Sequence, residues 1–145
     1  MSAHCSDSVV ARGDGGRRLE RLSVAQCLAL LGPSGIGRIA FAHGPTPVIM
    51  PVNYAMDGGS LVLRTAEGTL LAAAPDGTGV ALEVDRIDLD YHIGWSILLR
   101  GRMDGIRDAD ELARCRDLPL GVYAPGLREA WRRITPATLT GRRIA

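Results

Sequence analysis

The first periodic stretch of hydrophobic and polar residues has helical spacing. Ser23 and Gln26 form a capping box before this stretch, and Gly32 follows its last apolar residue. The pattern predicts a short amphipathic helix over 24–31, with Cys27 in the core. The apolar face of this helix consists of Val24, Cys27, Leu28 and Leu31.

Beyond this helix the period changes to two, which is typical of strands. Strands are predicted over 38–41, 48–56, 61–65, 80–85, 95–99 (extending toward 106) and, broken at Pro136, 131–144. Short helices are predicted over 69–74 and 108–118, and Gly35-Ile36-Gly37 is expected to turn the chain into the first strand. The tight-turn signal Asp57-Gly58-Gly59 and the half-polar strands indicate antiparallel pairing. The predicted fold is therefore mostly β, a six-stranded antiparallel barrel with a few short helices.

The chain of 145 residues is expected to form one domain over 19–145. Residues 1–18 are small, polar and charged without any period, which predicts a disordered N-terminal tail. No signal-peptide pattern and no apolar run of membrane-spanning length is present, so a cytoplasmic protein without a membrane partner is expected.

Charge and composition narrow the possible chemistry. Seventeen basic and sixteen acidic residues give a net charge of +1, which does not favour binding to nucleic acid. Every basic residue is arginine, so Schiff-base chemistry on lysine is excluded and a phosphate must be held by arginine, hydroxyls or backbone N–H groups. The three cysteines and three histidines lack ligand spacing, so no metal site is expected. No catalytic motif is present, and no catalytic residue is assigned.

One stretch has the composition of a phosphate site. Arg64 ends a predicted strand, and Thr65 and Thr69 flank a glycine-containing turn that opens a short helix. A guanidinium, two hydroxyls and the N–H groups of a helix start suit a phosphate. The same spacing is also typical of a strand-end surface charge followed by an ordinary helix cap, which spacing alone favours.

Four runs of sequence, in this order, resemble the pyridoxamine 5′-phosphate oxidase-like family, in particular its small actinobacterial branch. The runs are PVNYAMDGGSLVLRTAEGT (51–69), ALEVDRID (81–88), GWSILLRGR (94–102) and WRRITPATLTGRR (131–143). The resemblance extends from about residue 22 to 144. It implies an FMN-binding split β-barrel and a homodimer with two flavin sites at the subunit interface.

The resemblance also implies positions for the flavin. Its phosphate would be held by Arg64, Thr65 and Thr69, but the lysine expected next is Leu70 in this chain. The loss of one charge-assisted bond would cost about 1.5–3 kcal/mol, or about 10–150-fold in affinity. Arg100 or Arg102 could then supply the cation that the missing lysine would bring to the phosphate. The flavin ring would lie along the second strand and meet backbone groups at Val52, Asn53 and Tyr54, with Trp95 at its border.

Several of these assignments have structural alternatives. Tyr54 fits a core aromatic equally well, whereas Asn53, on the other face, is the better polar contact. Trp95 is more typical of a residue that closes the barrel end. Glu83 and Asp85 are interpreted as partners of Arg100 or Arg102 rather than as acid–base catalysts.

The leading hypothesis is a flavin-dependent oxidoreductase of unknown small-molecule substrate, with FMN as cofactor and a deazaflavin coenzyme or haem as the alternative. Flavin carries out hydride transfer itself, which accounts for the absence of a catalytic triad. Family resemblance does not fix the reaction. The alternatives are a barrel that stores or senses its ligand without catalysis, and one that has lost its cofactor and acts through protein contacts.

Overall fold

The computed structural model describes residues 16–121 and 129–145. Residues 1–15 of the predicted tail lie outside this range, and Arg18 already pairs with Ala145 through two backbone hydrogen bonds. Seven strands and three helices occupy the described part of the chain. In order they are β1 (Leu19–Leu22), α1 (Val24–Leu31), β2 (Ser34–His43), β3 (Thr46–Asp57), β4 (Ser60–Ala66), α2 (Leu70–Ala73), β5 (Thr78–Asp88), β6 (Ile93–Gly105), α3 (Ala109–Arg116) and β7 (Glu129–Ile144).

Six of these strands close into a ring. The neighbours run β7-β4-β3-β2-β5-β6, and β6 returns to β7, with every pairing antiparallel. The predicted six-stranded antiparallel barrel is confirmed. The seventh strand, β1, pairs with the end of β7 from Leu19 opposite Ile144 to Leu22 opposite Gly141. Sequence reasoning missed β1 because its four residues, LERL, are too few to show a period.

Two local predictions about the strands were wrong. Gly35 and Gly37 do not form a turn but lie within β2, which begins at Ser34. A Cβ atom at Gly37 would lie 2.9 Å from the carbonyl oxygen of Glu83, so the neighbouring strand approaches too closely for a side chain. The last strand is also continuous through Pro136, because the ladder absorbs it as an irregularity opposite Arg100 and Gly101.

The core fills the barrel and extends under two of the helices. α1 buries Cys27 and Leu31 against the barrel, as predicted, but Val24 and Leu28, the other two residues of its predicted apolar face, are exposed. The hydroxyl of Tyr54, on β3, donates to the carbonyl oxygen of Leu31 at 2.8 Å and so ties this helix to the sheet. A second, smaller core lies under α3 and consists of Val62, Ile106, Cys115 and Trp131.

An ionic network fastens α3 to the β3–β4 hairpin. Nη1 of Arg133, on β7, donates to Asp57 Oδ2 at 2.8 Å, and its Nε donates to Glu111 Oε1 at 3.0 Å. Arg114 Nη2 donates to the same Asp57 oxygen at 3.3 Å. The network therefore joins the helix, the hairpin and β7 at one point.

Candidate functional site

The barrel opens where β3 and β4 separate. These strands pair only from Tyr54 opposite Leu63 to Asp57 opposite Ser60. Beyond that point, among the described residues, β3 pairs only with β2 over 46–53, and β4 pairs only with β7 over 64–66. A split therefore begins beside Asn53 and Arg64, and one edge of β3 carries backbone groups without a neighbouring strand in the described part of the chain.

Arg64 forms one wall of this split. Its Nη2 donates to the carbonyl oxygen of Gly121 at 2.6 Å, and its guanidinium carbon lies 5.5 Å from the centre of the Trp131 ring. Nη1 lies 4.0 Å from a carboxylate oxygen of Glu129. The side chain is 18% exposed, so the guanidinium is held in place on a stacking platform. A fixed cation of this kind suits recognition of an anion.

Asn53 lies across the split from Arg64. Its side chain is exposed, and a Cβ atom at Gly121 would lie 3.2 Å from its Oδ1. Gly121 thus accepts a hydrogen bond from one polar wall and lies beside the other. Sequence reasoning missed Gly121, Glu129 and Trp131 as members of this site. The pairing of β4 with β7 brings Trp131 and Glu129 here, and no local pattern encodes that register.

Thr65 and Thr69 form a pair of hydroxyls at the start of α2. Their Oγ1 atoms lie 3.1 Å apart. Thr69 also donates to the carbonyl oxygen of Ala66 at 2.9 Å and accepts the N–H of Ala72 at 3.1 Å, so it caps α2. The two hydroxyls are therefore brought together as the sequence suggested, and Thr69 also has the ordinary capping role. Leu70, the next residue, is 41% exposed.

Val52 and Tyr54 point away from the split. Val52 is half-buried against the barrel core, and Tyr54 is 1% exposed, with its hydroxyl bonded to Leu31. Burial raises the pKa of the Tyr54 phenol. The core interpretation of Tyr54 thus describes its side chain. Of the three predicted residues on this strand, only Asn53 presents its side chain to the split. Val52 can contribute backbone groups only, and Tyr54 is paired with strands on both sides.

Trp95 lies elsewhere in the same chain. It pairs with Arg143, twelve positions along β7 from Trp131, and packs half-buried against the core. It lines a cleft of about 500 Å³ together with His92 and Ile144. The structure does not bring Trp95 to the split within one protomer.

The acidic pair on β5 has a different partner from the one expected. Arg38 Nη1 lies 3.3 Å from Glu83 and 3.3 Å from Asp85, whereas pairing with Arg100 or Arg102 was predicted. The reason is register, since Arg38 of β2 stands directly opposite Glu83. Burial, followed by the neighbouring Asp85, raises the pKa of Glu83. Within residues 16–121 and 129–145, no cluster of His, Cys, Asp and Glu is suited to a metal ion.

Comparison with known proteins identifies the family of this chain. The model of a family described as pyridoxamine 5′-phosphate oxidase matches residues 23–143. The structure of an FAD binding protein from Mycobacterium smegmatis is 33% identical, with a TM-score of 0.72, covering 85% of this chain and 95% of that one. A conserved protein of unknown function from Corynebacterium diphtheriae is 27% identical, with a TM-score of 0.75, covering 88% and 98%.

A further relative comes from the curated proteins. An uncharacterized protein of Mycobacterium tuberculosis is 28% identical over 133 residues, which is 88% of this chain and 87% of that protein.

In the described part of the chain, every helix is too short or too polar to cross a bilayer.

Proposed function

This chain belongs to the pyridoxamine 5′-phosphate oxidase family, and from that premise we propose that it is a flavin-binding oxidoreductase acting on a small molecule. The observation that carries the proposal is the split between β3 and β4. Its edge offers backbone groups without a neighbouring strand in the described residues, and its walls carry Asn53 and Arg64. A flavin ring needs such an edge for its polar atoms, and its phosphate needs a fixed cation.

The residues at the split fit a flavin in most respects. Backbone groups at Val52 and Asn53 would meet the ring, and Asn53 would add a side-chain contact. Tyr54, which pairs with both Gly35 and Leu63, lies beyond the free edge. Arg64, with the hydroxyls of Thr65 and Thr69, would hold the phosphate. A bound flavin supplies hydride transfer, so the protein has to bind, orient and shield it. The exposed Leu70 fits less well, because it brings no charge to the phosphate.

The flavin is proposed to be FMN, bound through the portion that FAD shares. The Mycobacterium smegmatis relative is an FAD binding protein, which supports a flavin in this chain and makes FAD the direct competitor of FMN. Both molecules present an isoalloxazine ring and a phosphate to the same set of residues. The bound cofactor therefore has to be identified directly, from the ligand that the purified protein releases.

The protein is further proposed to be a homodimer with its flavin sites at the interface. The outer face of β2 and β3 beside the split carries two isoleucines, Ile36 and Ile49, that are each 68% exposed, with the ion-paired Arg38 between them. A second copy on this face would cover these side chains and close the split over a flavin. Trp95, which is remote within one protomer, can border the site only if a partner subunit supplies it.

The direct test is to purify the protein without added cofactor, record its visible spectrum and identify by mass any ligand released on denaturation. A flavin spectrum with FMN released is expected. Release of FAD would keep the proposed function and change the cofactor, whereas a deazaflavin or haem would contradict the flavin assignment. A colourless protein that also fails to bind added FMN and FAD would overturn the proposal.

Turnover separates an enzyme from a protein that only stores or senses flavin. The flavin-loaded protein is expected to oxidise a reduced nicotinamide or deazaflavin donor. A tightly bound flavin that none of these donors reduces would contradict the oxidoreductase assignment.

A further inference from the structure

The cleft of about 500 Å³ beside Trp95 lies on the outside of the barrel, next to the loop that joins β5 to β6. Asn53, Arg64 and the two threonines near α2 do not line it, so it is a different feature of the protomer from the split. A cleft of this volume accommodates a small organic molecule. The class of molecule follows from the residues around it.

Most of the cleft wall is aliphatic. Ile87 of β5 and Ile144 of β7 stand on either side of Gly94 of β6, and both side chains are exposed. Leu89, in the loop, is exposed and lines the cleft as well. A Cβ atom at Gly94 would lie 2.6 Å from the carbonyl oxygen of Arg86, so the hairpin bends closely over this glycine. The strand between the two isoleucines therefore presents only backbone, and an apolar molecule can lie against it.

A guanidinium stands at one end of this aliphatic wall. Arg142 of β7 lines the cleft and lies two residues before Ile144, on the same face of the strand. Across the pairing of β1 with β7, the residue directly opposite Arg142 is Arg21. Both side chains are exposed, and like charges directly opposite each other destabilise a sheet. An anion beside Arg142 would reduce this repulsion.

The carboxylates of the neighbouring strands do not supply that anion. Asp85 of β5 pairs with Arg38 at 3.3 Å. Glu20 of β1 pairs with Arg143, also at 3.3 Å. In the part of the chain that the structure describes, neither these carboxylates nor any other forms an ion pair with Arg142. Its donors are therefore available to a ligand in the cleft.

The loop beside the cleft is held by its own hydrogen bonds. Oδ1 of Asp88 accepts the backbone N–H groups of Asp90 and Tyr91, each at 3.0 Å. Asp88 pairs with Ile93, three residues along β6 from the residue opposite Arg142, so roughly 10 Å of strand separates the two positions. The cleft wall is thus preformed, which reduces the entropic cost of binding, and its own carboxylate lies away from the cation.

We infer that this cleft binds a small molecule with an apolar body and one carboxylate. The carboxylate would accept hydrogen bonds from Arg142 and offset the charge of the arginine pair, while the body would cover the exposed isoleucines. A neutral apolar molecule would leave the charge uncompensated, and an inorganic anion would leave the isoleucines exposed. All of these residues belong to one protomer, so the inference does not depend on the proposed function.

The test is a titration of the full-length protein with phenylacetate and, separately, with phenylacetamide and with acetate, at constant ionic strength. Phenylacetamide has the same apolar body without the charge, and acetate has the charge without the body. The signals to follow are the indole N–H resonances of the two tryptophans, since Trp95 lines the cleft and Trp131 does not. A saturable shift of the Trp95 resonance alone is expected, with phenylacetate binding about tenfold more tightly than either of the other two.

Variants separate the charge from the apolar wall. Arg142→Gln is expected to abolish the preference for phenylacetate over phenylacetamide, while the amide still binds. Ile87→Ala is expected to weaken the binding of both ligands several-fold and to keep the preference, because apolar contact area is lost. Both substitutions are at exposed side chains, so the fold should persist. Arg100→Gln, at an exposed arginine of β6 that does not line this cleft, is the matched control and should bind as the wild type does.

Several outcomes would overturn the inference. The first is the absence of a saturable response to phenylacetate, and the second is a preference for phenylacetate that survives Arg142→Gln or is lost equally in Arg100→Gln. Equal affinities for phenylacetate and acetate would mean that the aliphatic wall takes no part in binding. A Trp95 resonance that shifts on dilution of the protein, and not with phenylacetate, would mean that a second copy of the chain covers the cleft.

Discussion

At the scale of single residues, position 70 decides how firmly a phosphate can be held at the start of α2. Leu70→Lys would place a cation beside Thr69 and the proposed phosphate position. We expect FMN affinity to rise about tenfold or more, because a charge-assisted bond to phosphate contributes about 1.5–3 kcal/mol. The measurement is quenching of flavin fluorescence on titration with protein.

The matched control is Leu28→Lys. Leu28 is 42% exposed, against 41% for Leu70, but it lies on α1. The Leu28→Lys variant adds the same charge away from the proposed phosphate position, so it should leave FMN affinity unchanged. A second ligand, riboflavin, lacks the phosphate and should gain nothing from Leu70→Lys. If FMN affinity does not rise, the phosphate is not bound beside Thr69.

At the scale of elements, the attachment of α3 depends on the ionisation of Asp57. Its hydrogen bond from Arg133 is the main cause that holds the Asp57 pKa below its ordinary value. The folded state therefore binds the proton less readily than the unfolded state. This contribution to stability is complete above the unfolded pKa of about 3.9 and is lost as the pH falls through the lower, folded-state pKa.

Asp57→Asn should lower the free energy of unfolding at pH 7 by about 1.5–3 kcal/mol, since it weakens bonds to two arginines. It should also flatten the decline in stability between about pH 5 and pH 2. Urea unfolding followed by tryptophan fluorescence measures both, because Trp131 lies in the core under α3. Asp90→Asn, in an exposed loop, is the control. Equal pH profiles for the two variants would contradict the assignment.

The elements also show how far sequence patterns reach. Alternation located β2, β3, β5 and β6, because each has one face in the barrel core, whereas β4 was predicted from the preceding tight turn and β7 as an extended segment broken at Pro136. It missed β1, which pairs through its backbone and is too short for a period. Gly37 was predicted to lie in a turn, but it lies in β2, where the absence of a side chain leaves room for the carbonyl oxygen of Glu83.

The site was predictable only in its local parts. The Thr65–Thr69 pair follows from a turn of four residues. The contacts of Arg64 with Gly121 and Trp131 join residues 57 and 67 positions apart, and the partner of Glu83 is Arg38, 45 positions away. Such contacts are set by strand register across the closed ring, which local periodicity does not encode.

At the scale of the whole molecule, the proposed flavin site depends on the proposed dimer. If the outer face of β2 and β3 is the interface, Ile49→Arg should disrupt it by placing a charge in a contact between apolar side chains. Light scattering after size exclusion should then change from a dimeric to a monomeric mass. The fold should persist, because the substitution is at a position 68% exposed in the protomer.

The same variant should also lose flavin, because the split next to this face would no longer be covered by a second subunit. The control is Val24→Arg, at an apolar residue of α1 that is 53% exposed, which should remain dimeric and keep its flavin. A monomeric wild type would contradict the shared site. An Ile49→Arg protein that remains dimeric would place the interface on another face, and a monomer that still binds flavin tightly would mean that one protomer suffices for the cofactor.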